Sequence, residues 1–248
     1  MYTRILSTIF FFFLYIGVTA QEQVYELRNY EFEGFAPADV LHNYFKDALL
    51  PALDRQGITN VGAFEESGDR MPKKVYLLIP YDNIQAFQAS KDLLAKDAKY
   101  LKDGSTYLKA TEESIPYKRI STNLIRSATG FPKLVKPNNE SNLFELRIYE
   151  SYNEDALRRK VKMFNDSEFG IFEDAGLPMV FFGSNIAGDQ MPCLTYLLAF
   201  KDKTTRSEAW SKFGPHPEWQ RIVKLEEYAN TVNDITRVFL KPLPYSQL

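Results

Sequence analysis

Residues 144–151 read FELRIYES and residues 25–32 read YELRNYEF, so an aromatic residue, Glu-Leu-Arg, one variable residue and Tyr occur twice, Glu26 and Glu145 being 119 positions apart. On an extended strand successive side chains alternate between faces. Glu26, Arg28 and Tyr30 therefore share one face and Tyr25 and Leu27 the other. In the second copy Glu145, Arg147 and Tyr149 oppose Phe144, Leu146 and Ile148.

The doubling runs on beyond the strand. A shift of 119 lays Gly57 on Gly176, each closing a helical stretch, and Pro51 on Gly170. A shift of 120 lays GDRMP (68–72) on GDQMP (188–192), and VYLLIPY (75–81) on TYLLAFK (195–201). Matches that keep one order, with a single one-residue slip, indicate two copies of one unit.

Each copy reads β-α-β-β-α-β. In the first, VYELRNY alternates as a strand, and residues 37–56 carry apolar side chains at helical spacing, with Gly57 as the stop. A strand in TNVGAFEES, a turn at GDRMP, the strand VYLLIPY, a helical run over 83–101 and a last strand near SIPYKRIS complete it. The second copy gives LFELRIYE, a helix over 154–175, PMVFFGSN, LTYLLAF, a helical region over 205–228 broken near GPHP, and TVNDITRVFL. This order predicts an α+β fold of two tandem ferredoxin-like units whose sheets face each other as a fused barrel. The expected division is a signal peptide at 1–20, units at 21–128 and 143–248, and a Pro- and Asn-containing linker at 129–142.

At the N-terminus Arg4 precedes an apolar run over 5–18 that ends in Val18-Thr19-Ala20. The run is shorter than the ~20 residues a membrane helix needs, and the small-residue ending suits a signal peptidase. Export to the periplasm or the extracellular space follows, with a chain starting at Gln21 and no membrane partner after cleavage. Formal charge is −2 for 248 residues, with both signs dispersed, so nucleic acid is not an expected partner. One cysteine, Cys193, allows no disulfide framework, and it reads as a small buried hydrophobe rather than a nucleophile.

YELRNYEF, FELRIYES, MVFFGSNIAGDQMPCLTYLLAF, AWSKFGPHPEW and NDITRVFLKP together resemble the NIPSNAP family. The likeness spans nearly all of residues 21–248; it is strongest over 143–242 and weaker over 101–108, where the first copy lacks the Trp-bearing helix. The resemblance implies paired repeats of the dimeric α+β barrel type and no general reaction. Animal relatives are linked to mitochondria, which the export signal does not match.

Candidate site residues come from two places. The first strand of each unit should be central, with its Glu, Arg and Tyr covered by the partner sheet. Glu26, Arg28, Tyr30, Glu145, Arg147 and Tyr149 then form either a polar network that fixes the register of the halves or a ligand-binding surface. Glu168 interrupts the apolar stripe Leu157, Val161, Phe164, Ile171, Phe172 and Ala175, where the other copy has Leu49. It either reaches solvent because Gly170 breaks the helix, or binds an Arg, or contributes to a pocket between helix and sheet. Phe181, Phe182, Trp210, Phe213 and Trp219 would line such a pocket.

His42 and His216 lack neighbours at ligand spacing, so no metal or cofactor is expected, and His216 reads as a loop or helix-start residue. GxSxG, HExxH and phosphate-loop motifs do not occur. Three functions stay open: binding of a small, largely apolar molecule in or beside the barrel, an enzyme akin to cofactor-independent oxygenases or isomerases, or an interaction module. A homo-oligomer is also open.

Overall fold

The computed structural model describes residues 22–32, 38–68 and 71–248. The expected signal at 1–20, Gln21, Pro37 and Asp69-Arg70 of the first turn lie outside the described residues. Among the described residues no helix is long and apolar enough to cross a membrane.

The first unit contains β1 (Val24–Glu31), α1 (Asp39–Asn43), α2 (Leu50–Arg55), β2 (Gly62–Glu66), β3 (Lys74–Tyr81), α3 (Ile84–Lys96), α4 (Ala98–Asp103), α5 (Ser105–Leu108) and β4 (Arg119–Ser127). The second contains β5 (Leu143–Glu150), α6 (Glu154–Met163), α7 (Phe169–Ala175), β6 (Met179–Ala187), β7 (Cys193–Phe200), α8 (Lys203–Phe213), α9 (Pro217–Ile222) and β8 (Asp234–Pro242). Gly57 and Gly176 take left-handed φ of 78° and 73° after α2 and α7, the conformation that closes a helix at least cost in glycine. Each unit widens one helical turn into a π-helix, at Tyr44–Leu49 before α2 and Phe164–Glu168 before α7. In the first unit this turn precedes Pro51, which has no N–H to donate to an α-helical partner. In the second, the chain passes helically through Gly170, so the expected break there does not occur.

The strands close into one antiparallel barrel in the order β1-β3-β2-β8-β5-β7-β6-β4. Each unit supplies four adjacent strands in ferredoxin-like order, and the units are joined by β2 with β8 and by β4 with β6. The first unit's last strand lies later than SIPYKRIS suggests, because Tyr117 packs its ring on Tyr30, 5.5 Å away, instead of entering the sheet. Residues 129–142 do not hang free: Leu134 N donates to Gln23 Oε1 at 2.8 Å and Val135 N to Val180 O at 2.9 Å.

An eight-stranded barrel is just wide enough for side chains to fill it. Here Tyr25, Leu27, Phe64, Tyr76, Leu78, Phe144, Leu146 and Phe181 do so. Tyr25 meets Phe181 and Phe64 meets Phe144 with ring centroids 5.0 and 4.7 Å apart, so each contact ties one unit to the other. The apolar face of β1 and β5 therefore points inward. Their Glu-Arg-Tyr faces point outward, under helices of their own units, which corrects the expectation that the partner sheet covers them. The reason is energetic: the largely apolar barrel interior offers few partners for charge, whereas the helices bring side chains that can pair with it.

Candidate functional site

In the first unit the outward triplet is internally satisfied. Arg28 donates from Nε and Nη2 to the two oxygens of Glu26 at 2.6 and 2.8 Å, and the Tyr81 hydroxyl donates to Glu26 Oε2 at 3.2 Å. Glu26 is buried, and a buried carboxylate needs such pairing. Over this triplet the helices do not close. A cavity of about 530 Å³ is bounded by Glu26, Arg28 and Tyr30 on the sheet, and by Tyr44, Leu94, Tyr100 and Tyr107 from the helical layer. Its rim carries the exposed apolar side chains of Leu101, Leu108 and Ile120 beside exposed Lys91 and Thr122. Tyr44 and Tyr100 share a hydroxyl hydrogen bond of 2.8 Å, and Tyr107 stacks on Tyr44 at 3.9 Å. Burial pushes the Tyr44 and Tyr107 phenols well above their ordinary value, so both are neutral at physiological pH.

The second unit has the same strand residues with different partners. Arg206 of α8 donates from Nε and Nη2 to Glu145 at 2.7 and 2.9 Å, and Trp210 Nε1 donates to Glu145 Oε2 at 3.0 Å. Their counterparts 119 positions earlier are Phe87, which has no side-chain donor, and Lys91, which forms no ion pair with Glu26. Arg147, the counterpart of Arg28, is left 3.8 Å from Glu145 and lies over the Trp210 ring at 4.3 Å. Glu145 and Arg147 thus do not form the close pair expected between the halves; the carboxylate is taken by a helix of its own unit.

Glu168 neither reaches solvent nor binds an Arg. It is 2% exposed and forms an ion pair and hydrogen bond with buried Lys160, one helical stretch earlier. Burial pushes its carboxyl above the usual range, while the Lys160 ammonium pulls the other way. The counterparts of this pair in the first unit are Leu41 and Leu49, both fully buried.

The aromatic residues expected to line a pocket in the second unit are packed instead. Phe182 is enclosed by Phe164 and Phe169 at 4.5 and 5.0 Å, Trp210 meets Phe172 and Phe213 at 5.9 and 5.5 Å, and Trp219 meets Phe213 at 4.6 Å. Phe181 faces the barrel interior, opposite to Phe182, as neighbours on a strand must. The structure therefore brings Glu26, Arg28 and Tyr30 to an open cavity and buries Glu145, Arg147, Tyr149, Glu168, Phe182 and Trp210 in or against a packed layer. Tyr44, Tyr100 and Tyr107 were not marked by any sequence motif. Arg206 and Lys160 were legible only by setting the copies side by side, where a charge replaces an apolar residue.

His216 caps α9, its Nδ1 accepting from Glu218 N at 3.2 Å, as a helix-start residue does. Cys193 is buried, and desolvation pushes its thiol up to about 12, which suits a packing role. Among the described residues no group of three or more His, Cys, Asp or Glu is placed to hold a metal ion. A second, polar space of about 310 Å³ at one barrel end adjoins Met71, next to residues outside the described set.

Two four-stranded ferredoxin-like units closed into one barrel, with helices outside, define a dimeric α+β barrel carried on a single chain. Solved structures share this fold. A proposed monooxygenase from Fusobacterium nucleatum is 11% identical with a TM-score of 0.56, covering 90% of this chain and 93% of that one. A proposed monooxygenase from Lactobacillus acidophilus is 12% identical with a TM-score of 0.51, covering 89% and 94%. An anthrone oxidase-like protein is 6% identical with a TM-score of 0.50, covering 91% and 94%. At these identities the likeness concerns the fold alone. Residues 144–247 match the NIPSNAP family model. A search of the curated proteins found no match.

Proposed function

We propose that this protein binds a small, largely apolar molecule between the sheet and helices of its first unit. The observation that carries the reading is the asymmetry of the two copies: one Glu-Leu-Arg-x-Tyr face borders a cavity of about 530 Å³, while side chains of the helical layer pack over the other. The volume falls within the ~300–1,000 Å³ of ordinary ligand pockets, and aromatic walls with a few polar groups are their usual lining. Neutral Tyr hydroxyls and the engaged Glu26–Arg28 pair supply hydrogen bonding inside the cavity, with the charge of Lys91 at its exposed edge, which suits a ligand with few polar atoms.

A neutral fluorescent probe, N-phenyl-1-naphthylamine, tests this. Saturable enhancement with wild type, lost in Ala95→Trp, supports the cavity; Ala95 is an exposed lining residue, so the substitution fills space without opening the core. Equal binding by both proteins, or none by wild type, overturns it. We also propose that the protein is exported, with cleavage after Ala20. An exported chain whose mass begins at Gln21 supports this, and an intact Met1 in membrane fractions overturns it.

A further inference from the structure

The second unit contains a buried cation whose partner has been taken away. Arg147 is 7% exposed, its Nε is enclosed without a hydrogen-bond partner, and among the described residues it donates no hydrogen bond. Its nearest carboxylate, Glu145 at 3.8 Å, is too distant for a hydrogen bond and is already bound in a fork by Arg206. Glu168, the other buried carboxylate of this layer, is held by Lys160. Three cations, Arg206, Lys160 and Arg147, thus share two carboxylates, and Arg147 is the one without a hydrogen bond.

A second excess cation stands beside it. In the β5–β8 ladder Arg147 is directly opposite Arg237, an exposed residue with no ion pair among the described residues, whereas the first unit sets Thr122 opposite Arg28. Like charges facing each other across two strands repel and are disfavoured without an anion between them. The Arg147 guanidinium also lies 5.4 Å from the Tyr149 ring centre, so it is held between this ring and that of Trp210. Access is from the β8 side, where Arg237 and Phe239 are exposed.

We propose that Arg147 anchors a second binding site, for the oxyanion group of a small carboxylate or phosphate compound, with Arg237 at its mouth. A guanidinium left with its planar donors free matches such groups bidentately. The site lies on the opposite unit from the apolar cavity and does not depend on it. The two tryptophans of the chain, Trp210 and Trp219, both belong to this unit, and Trp210 stacks on Arg147, so intrinsic fluorescence reports on it.

Wild type titrated separately with benzoate and with inorganic phosphate should show saturable, salt-sensitive fluorescence change with at least one. Preference for benzoate indicates an organic carboxylate, and preference for phosphate a phosphate group. Arg237→Gln, an exposed change that leaves packing intact, should weaken binding by roughly 10-fold or more, as expected for losing a charge-assisted contact. Arg147→Leu should abolish it. Absence of saturation with both anions in wild type, or binding undiminished in Arg237→Gln, overturns the proposal, and the second result decides even if Arg147→Leu fails to fold.

Discussion

Lys160 and Glu168 show at single-residue scale how a duplicated unit diverges. The first unit places Leu41 and Leu49 at the same two positions, so the fold accepts either an apolar pair or an ion pair there. Burying an ion pair costs desolvation that its attraction barely repays, whereas breaking one strands a charge. Glu168→Leu alone should therefore cost about 3–5 kcal/mol, because Lys160 loses its carboxylate. The double change Lys160→Leu with Glu168→Leu should cost far less or stabilise. Urea denaturation of wild type, both single variants and the double variant measures the cycle. Small, additive losses would mean that the pair is solvated, contrary to the burial seen.

At the scale of elements, register decides which face is which. GDRMP and GDQMP match at a shift of 120, and both Met-Pro bonds, 71–72 and 191–192, are cis. The strands that follow, however, correspond at 119: Leu27 pairs with Leu78 and Leu146 with Leu197. Laying VYLLIPY on TYLLAFK at 120 would equate Tyr76, inside the barrel, with Tyr196, under the helices. A slip of one residue turns a side chain to the other face, and sequence identity alone cannot reveal it. The first unit absorbs the difference with one extra residue between Pro72 and β3.

Gly183 marks the seam between units on the same scale. A Cβ there would lie 2.2 Å from the Arg126 carbonyl oxygen, while the residue at the same place in the first unit, Phe64, fills the barrel. Gly183→Ala should cost about 1–3 kcal/mol by forcing β4 and β6 apart. Thermal unfolding tests this, and an unchanged midpoint would show that the seam yields.

On the scale of the whole molecule, the chain's last six residues bind the second unit to the first. Gln247 Oε1 accepts from Val61 N at 2.8 Å, Ser246 Oγ from Ala63 N at 3.0 Å, and the Tyr245 hydroxyl meets His42 Nδ1 at 2.7 Å. Leu243 and Tyr245 pack on the core of the first unit. Ending the chain at Pro242 removes the packed side chains of Leu243, Tyr245 and Leu248 and should cost roughly 3 kcal/mol or more, at about 1.5–3 kcal/mol for each side chain fully buried and less for these partly buried ones. The readout is the urea midpoint, which should stay put if the tail is an ornament of the surface.

The sequence by itself determined the doubling, the order of elements, the alternation along β1 and β5, the helix stops at Gly57 and Gly176 and the place of His216, because each follows from local periodicity or local backbone chemistry. Only the tertiary structure decided which face of those strands turns inward, since both faces alternate equally well and the choice depends on closing eight strands into one barrel. It also decided that Glu145 belongs to Arg206, 61 positions away, that Glu168 belongs to Lys160, and that open space survives over Arg28 whereas Trp210 covers Arg147 on its helix side. These are contacts between side chains far apart in the chain or between packed layers, and identical Glu-Leu-Arg-x-Tyr strands acquire different chemistry because different helices lie on them.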